Sequence, residues 1–363
     1  VNPSKPELFR YAHARGEGWR ACVDACSERL GTIGRGLGFV YFTESLVPEA
    51  ASIVAALRSR TGVRDWIGTV GIGVLATGAE YLDEPALATM VADIPADAYQ
   101  VFSGRSGPLR GPQAYFGIIH ADPNTPDVAG LIADMSTKVT SGYLVGGLSS
   151  ARAKTVQVAN DVLSGGLSGA LLAPSVGVRT RLTQGYAALP GRYRVTACDA
   201  NVIATLDARP ALEVMKEAIG EVLARDLRRA AQFIQVGLPV TGSDTGDFLV
   251  RNLIGIDPRN GMIAIGDIVE PGTELLFCKR DAESARVDLA RMAGALQADL
   301  PAPRGALYFS CIGRGEHMFG ARGAELGIVR EALGELPLVG FFCSGEISHD
   351  RLYGYTGVLT LFH

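Results

Sequence analysis

Two stretches near the C-terminus, "CIGRGEHMFG" (Cys311–Gly320) and "PLVGFFCSGEISHD" (Pro337–Asp350), gather two cysteines, two histidines, an arginine set between glycines and a glutamate that follows a glycine. Three chemistries compete for them. As a thiol nucleophile, Cys311 needs a base to form its thiolate, and His317 or His349 supplies one if the strand ends meet. As a metal site, His317 and His349 join Cys311, Cys343 and Glu346 in a mixed ligand set, although their spacing matches no zinc signature. As a ligand pocket, Arg314 offers a carboxylate its planar fork from an unobstructed turn. The glycine turns at Gly315 and Gly345 leave backbone N–H groups open to an anion, and Glu346 offers a counter-charge for an amine.

The pocket reading uses most of these residues at once. Cys311 ends an apolar strand, where a small buried side chain suits the turn at Gly313 and Gly315. No Gly-x-Ser-x-Gly elbow points to a serine hydrolase. "GRG" and "GGLSS" are not followed by the Lys-Ser/Thr of a phosphate loop, and no GxGxxG opens a helix after a first strand, so nucleotide binding has no motif. The glycines read instead as tight turns with positive φ. Haem asks for only one axial His or Cys, which leaves it open. His13, His120 and His363 read as solvated or hydrogen-bonded structural residues. The six cysteines are too scattered for a disulfide framework or a zinc knuckle. Cys22 and Cys26, on one face of a helix in "GWRACVDACSERL", read as packing.

The elements that must position these residues recur along the chain. The first unit runs from "LGFVYF" through "PEAASIVAALRSRTG" to "DWIGTVGIGVLATG". The second runs from "AYFGIIHA" through "DVAGLIADMSTKV" to "GYLVGGLSSA" and closes with "GGLSGALLAP"; the third runs from "GALYFSC" through "AELGIVREALG" to "PLVGFFCSGEI" and closes with "YTGVLTLF". About thirty residues separate the first strand from Gly68, Gly146 or Gly340, the length of a strand-helix-strand unit. These three glycines are expected at equivalent places. Apolar stripes at Ile53, Val54 and Leu57, and at Leu326, Val329 and Leu333, pack the helices on sheets. The fold class is therefore α/β, with two related halves of repeated strand-helix-strand-strand units and mixed sheets flanked by helices. A β-rich stretch after Pro174 and a long helix, "ALEVMKEAIGEVLARDLRRAAQF", after Pro210 place the division near residues 195 to 210. "DFLVRNLIGID", "GMIAIGDIVEPGTELLFCKRD" and "AESARVDLARMAGAL" then read as strand, hairpin and helix.

Composition sets the outer limits. The chain has 363 residues, 47% apolar and 20% charged, with a net charge of -4, as expected of a packed protein of two domains. No Lys/Arg block tracks a phosphate backbone, so nucleic acid is not an expected partner. No apolar run reaches the ~20 residues of a membrane helix, and the N-terminus lacks a signal-peptide core. The expectation is a cytoplasmic protein with no membrane partner.

The segments "CIGRG", "PLVGFFCSGEI" and "YGYTGVLTLF" resemble the C-terminal half of the FIST domain family, and "FLVRNLIGIDPRNGMIAIGDIVEPGTELLFCKRD" is similar to the segment before them. "GFVYFTES", "WIGTVGIGV" and "YLVGGLSS" resemble the family's N-terminal portion. The resemblance implies a FIST N-type half over 20–205 and a FIST C-type half over 206–363. It also implies a sensory or signal-transduction module that recognises an amino-acid-like or other small anionic metabolite. The length leaves no room for a fused output domain, so a separate signalling protein is the expected downstream partner. Arg251, Arg280 and Asp281 are similar to family positions that border the same cavity, with a salt bridge as the competing reading for Arg280 and Asp281. Tyr355 either donates its hydroxyl to the ligand or packs as a core aromatic. The ligand-binding set is thus Arg251, Arg280, Asp281, Cys311, Arg314, Gly315, Gly345, Glu346 and Tyr355. No cofactor is expected, and a binding module is favoured over an enzyme. The alternatives are a cysteine enzyme using Cys311 and His317, a haem-based gas sensor of the kind some relatives form, and a protein-recognition module.

Overall fold

The computed structural model describes residues 9–104, 114–240 and 247–363. They form two compact units, one of residues up to Thr183 together with Asp288–His363, the other Gln184–Val287.

The first unit contains three six-stranded mixed sheets built on one plan. The first sheet runs Phe9–Arg15, Ala86–Ala92, Leu37–Thr43, Asp65–Gly71, Gln157–Ala159, Asp161–Leu163. The second runs Tyr99–Ser103, Leu167–Leu172, Phe116–Ala121, Tyr143–Leu148, Glu346–His349, Arg351–Tyr353. The third runs Val178–Gln184, Thr356–Phe362, Gly305–Cys311, Leu338–Cys343, Gly73–Ala76, Ala79–Leu82. In every case the third and fourth strands are parallel. A helix joins each such pair: Ala50–Thr61, Val128–Thr137 or Ala324–Leu333. These strands are buried on both faces, which explains their continuous apolar runs.

Each unit also lends a hairpin to the next. The hairpin after Gly71 pairs with Leu338–Cys343, the one after Leu148 with Asp65–Gly71, and the one after Cys343 with Tyr143–Leu148. The exchange closes a ring with threefold internal symmetry, and early and late parts of the sequence share sheets. Gly68, Gly146 and Gly340 do occupy one place in it. Each faces the parallel strand at Val40, Ile119 or Tyr308, and a Cβ there would lie 1.7, 1.8 or 1.7 Å from that residue's carbonyl oxygen. Only glycine fits. Next to these positions Tyr41, His120 and Phe309 meet at the centre of the ring, with ring centroids 5.5, 6.2 and 6.3 Å apart. His120, which the sequence reads as solvated or hydrogen-bonded and structural, is the latter: it is fully buried, with Nε2 3.2 Å from the Tyr41 hydroxyl and Nδ1 unpartnered.

The second unit is a nine-stranded antiparallel sheet packed around Leu212, Met215, Ile234, Val236, Ile263 and Phe277. Strands Phe248–Arg251, Leu253–Asp257, Met262–Ile265 and Glu274–Arg280, and the start of helix Ala282–Asp299, lie where the sequence places them. The single long helix expected after Pro210 is instead three pieces, Ala211–Ile219, Glu221–Ala224 and Leu227–Phe233. Gly220 breaks it. Its φ of 79° turns the chain out of the helix while its N–H closes on the Lys216 and Glu217 carbonyls.

Candidate functional site

The third strand-helix-strand unit carries the chemistry. Strand Gly305–Cys311 ends in a turn in which the Arg314 amide donates to the Cys311 carbonyl at 2.8 Å and the Ile312 amide to the Cys343 carbonyl at 2.9 Å. Gly315, at φ 53°, then opens a short helix, Gly315–Phe319, its Cα facing the Phe342 ring. The turn folds Arg314 inward, and at 1% exposure it is among the largest fully buried side chains.

Its guanidinium lies over the Phe319 ring, 5.1 Å from the centroid. Nε donates to Glu325 Oε1 at 2.7 Å. Nη1 and Nη2 are buried without a hydrogen-bond partner. Glu325, in the first turn of Ala324–Leu333, is saturated: it also accepts from the Tyr308 hydroxyl at 2.6 Å, the Ser310 hydroxyl at 3.1 Å and the Gly315 amide at 3.1 Å. Burial works against the charge on Arg314, but Glu325 foremost, followed by Tyr308, holds its pKa above the usual value.

Glu346 is a further buried acid of the site. Its Oε2 accepts from the Thr356 amide at 3.0 Å and the Thr356 hydroxyl at 2.8 Å, while Oε1 has no partner. Burial pushes its pKa up to about 8, with the Thr356 donors and Arg314 pulling the other way. The Cys311 and Cys343 thiols face it from adjacent strands in register. Burial is the largest cause pushing both thiols upward, so neither is poised as a thiolate nucleophile.

The sequence-predicted residues divide accordingly. Arg314, Gly315, Cys311 and Glu346 come together. Tyr355, at φ 62°, lies over Gly313, where a Cβ would come 3.0 Å from its ring, and covers the same turn. Gly345 is buried between Leu148 and Leu352 and accepts the Leu148 amide. His317 stands exposed on its short helix, away from any role as base to a buried thiol, and His349 bonds Asp350 through Nδ1 at 2.7 Å. Among the described residues no group of His, Cys, Asp and Glu is arranged to hold a metal. Cys311 and Cys343 are packed within paired strands, and His317 is exposed. Arg251, Arg280 and Asp281 belong to the other compact unit. There Arg251 pairs with Asp267 at 2.6 Å, Arg280 stands opposite Tyr186, and Asp281 caps helix Ala282–Asp299 through the Ser284 amide at 2.8 Å.

Sequence reading missed Glu325, Tyr308, Ser310 and Thr356. The available signal was Tyr308 and Ser310, polar at alternate positions and so on one face of an otherwise apolar strand. An open hollow of about 700 Å³ lies elsewhere in the same unit, lined by Arg35, Asp65, Asp93 and Tyr99 among others. Its acids are already satisfied, Asp93 by two 2.8 Å bonds from Arg35 and Asp65 by Tyr99 at 2.9 Å. Buried polar side-chain atoms without a partner occur at Arg314 and Glu346, and also at Ser27, Glu80, His120 and Gln297.

Comparison with known proteins agrees with the architecture. The FIST N domain profile matches residues 36–209 and the FIST C domain profile residues 211–349. The chain is 31% identical over 370 residues to "Uncharacterized protein Rv0628c" of Mycobacterium tuberculosis, covering 94% of this chain and 96% of that protein. It is 30% identical over 336 residues to "Uncharacterized protein Mb0898c" of Mycobacterium bovis, covering 86% and 87%. No helix among the described residues is long and apolar enough to cross a membrane.

Proposed function

The chain belongs to the FIST domain family, and from that premise we propose that it is a sensory module that binds a small anionic metabolite at Arg314. One observation carries the reading: a fully buried guanidinium spends Nε on Glu325 and leaves Nη1 and Nη2 unpaired. Leaving buried donors bare costs roughly 1 to 3 kcal/mol, more when they are charged. A carboxylate or other oxyanion received by the two terminal nitrogens removes that cost, and the paired geometry favours such a planar acceptor.

The internal symmetry supplies a control. The strand positions of Tyr308 and Ser310 correspond to Val40 and Phe42 in the first unit and to Ile119 and Ala121 in the second. There the same layer is hydrocarbon, packed by Ile53 and Leu57 or by Ile132 and Met135. The fold therefore does not need an ion pair in this place. Glu325 orients Arg314, and Tyr355 lies over the adjoining turn at Gly313. A cysteine enzyme is disfavoured, since the Cys311 thiol is buried and raised in pKa and His317 is exposed on its helix.

Thermal melts against a panel of small carboxylates and inorganic anions test the proposal. A bound ligand raises the melting temperature by mass action. Such rises in the wild type, absent in Arg314→Lys at unchanged ligand-free stability, support the clamp. Equal rises in both proteins refute it.

A further inference from the structure

The threefold repeat also bears on what the Arg314 site accepts, and the inference rests on the clamp proposed above. Each lent hairpin pairs with its host strand one residue beyond the recurring glycine. Val74 faces Phe341, Gln157 faces Thr69, and Glu346 faces Gly147. One place in the repeat thus carries a hydrocarbon, a neutral amide and a carboxyl group. Gln157 is fully buried and satisfied at both ends: Oε1 accepts from the Ser168 hydroxyl at 2.6 Å and Nε2 donates to the Gly166 carbonyl at 3.3 Å. Glu346 is as deeply buried, yet only Oε2 has partners.

A buried carboxylate with one bare oxygen is costly, whereas the same oxygen as a hydroxyl is a donor awaiting an acceptor. The titratable and charged groups around Glu346 are Arg314, Cys311 and Cys343. The thiols are neutral, and the charge of Arg314 is already matched by Glu325. Burial accordingly raises the proton affinity of Glu346.

We infer that Glu346 stands as a neutral acid whose Oε1 hydroxyl joins Arg314 Nη1 and Nη2 in a wall of donors, and that the site takes a small carboxylate or comparable oxyanion without an amino group. An amino acid would bring an ammonium group that a wall of donors does not receive. The cover of Tyr355 over Gly313, and the packing of Gly345 between Leu148 and Leu352, favour a ligand of few atoms.

Two measurements test this. Infrared difference spectra of the ligand-free protein at neutral pH should show a protonated carboxyl band that vanishes in Glu346→Gln. Calorimetric titration with formate, acetate and glycine should give binding of the first two to the wild type, with similar affinity in Glu346→Gln, because the amide keeps a neutral donor there. Arg314→Lys should weaken acetate by about tenfold or more. No band assignable to Glu346 overturns the inference and leaves the clamp standing. Glycine binding that is lost in Glu346→Gln also overturns it. Failure of all three probes on the wild type counts against the clamp, while the infrared band still decides the state of Glu346.

Discussion

Arg314 Nε and Glu325 Oε1 meet at 2.7 Å with both side chains shut off from solvent, 0% and 1% exposed. Breaking such a pair by removing one partner leaves an uncompensated charge and costs about 3 to 5 kcal/mol, whereas replacing both by hydrocarbon is often neutral. Glu325→Leu should therefore destabilise by about that amount. Arg314→Met combined with Glu325→Leu should recover much of it, since Val40 and Phe42 show the layer packing without charge. Urea denaturation of Arg314→Met, Glu325→Leu and the double variant decides, and additive losses would show the two side chains uncoupled, against this account.

The buried carboxyl of Glu346 gives stability a defined pH dependence. Its folded pKa of about 8 stands above the ordinary 4.5, so its contribution is fully present below 4.5 and lost as pH rises toward 8. Glu80, raised to about 7 by burial, acts in the same direction. The urea midpoint of the wild type should fall relative to Glu346→Gln across that window. Parallel curves would contradict a buried acid.

His120 has the opposite sign. Burial lowers it from 6.5 to about 3, so the protein should lose stability as pH falls through that interval. His120→Phe matches Phe309 at the equivalent position and should flatten the acid limb, at a cost of about 1 kcal/mol for the lost Tyr41 bond. Acid titration followed by circular dichroism checks this, and an unchanged acid midpoint would place the sensitivity elsewhere.

The three recurring glycines should tolerate no side chain. Alanine at Gly68, Gly146 or Gly340 drives a Cβ into a backbone carbonyl and should cost several kcal/mol each, on the order of 4 or more. Gly327→Ala, in the helix Ala324–Leu333 with open space around it, should instead stabilise by about 1 kcal/mol. Equal melting temperatures for all four variants would remove the symmetry argument.

Much of this architecture was legible because it is local. Strand-helix-strand order and the glycines that close it repeat within short windows, and the apolar stripe of Leu326, Val329 and Leu333 marks its own sheet-facing side. Pairing such as Val74 with Phe341 leaves no local trace, so the exchanged hairpins appear only in three dimensions. Gly220 lay inside an apparently continuous helical pattern and ended it. At the site, the glycines around Arg314 made it visible, but Glu325 looked like any acid in a first helical turn. Only the fold brings it to Arg314 and separates both from exposed His317.

The central claim is that Arg314 holds a small anion, and native mass spectrometry of the purified protein, followed by denaturing release, tests it most directly. Wild type and Arg314→Lys are measured side by side, with thermal melts to confirm equal folding. The account predicts a small acidic compound that travels with the wild type and is lost or strongly depleted in the lysine variant, because an ammonium cannot reproduce the paired contact. The same compound at the same occupancy in both proteins would contradict it.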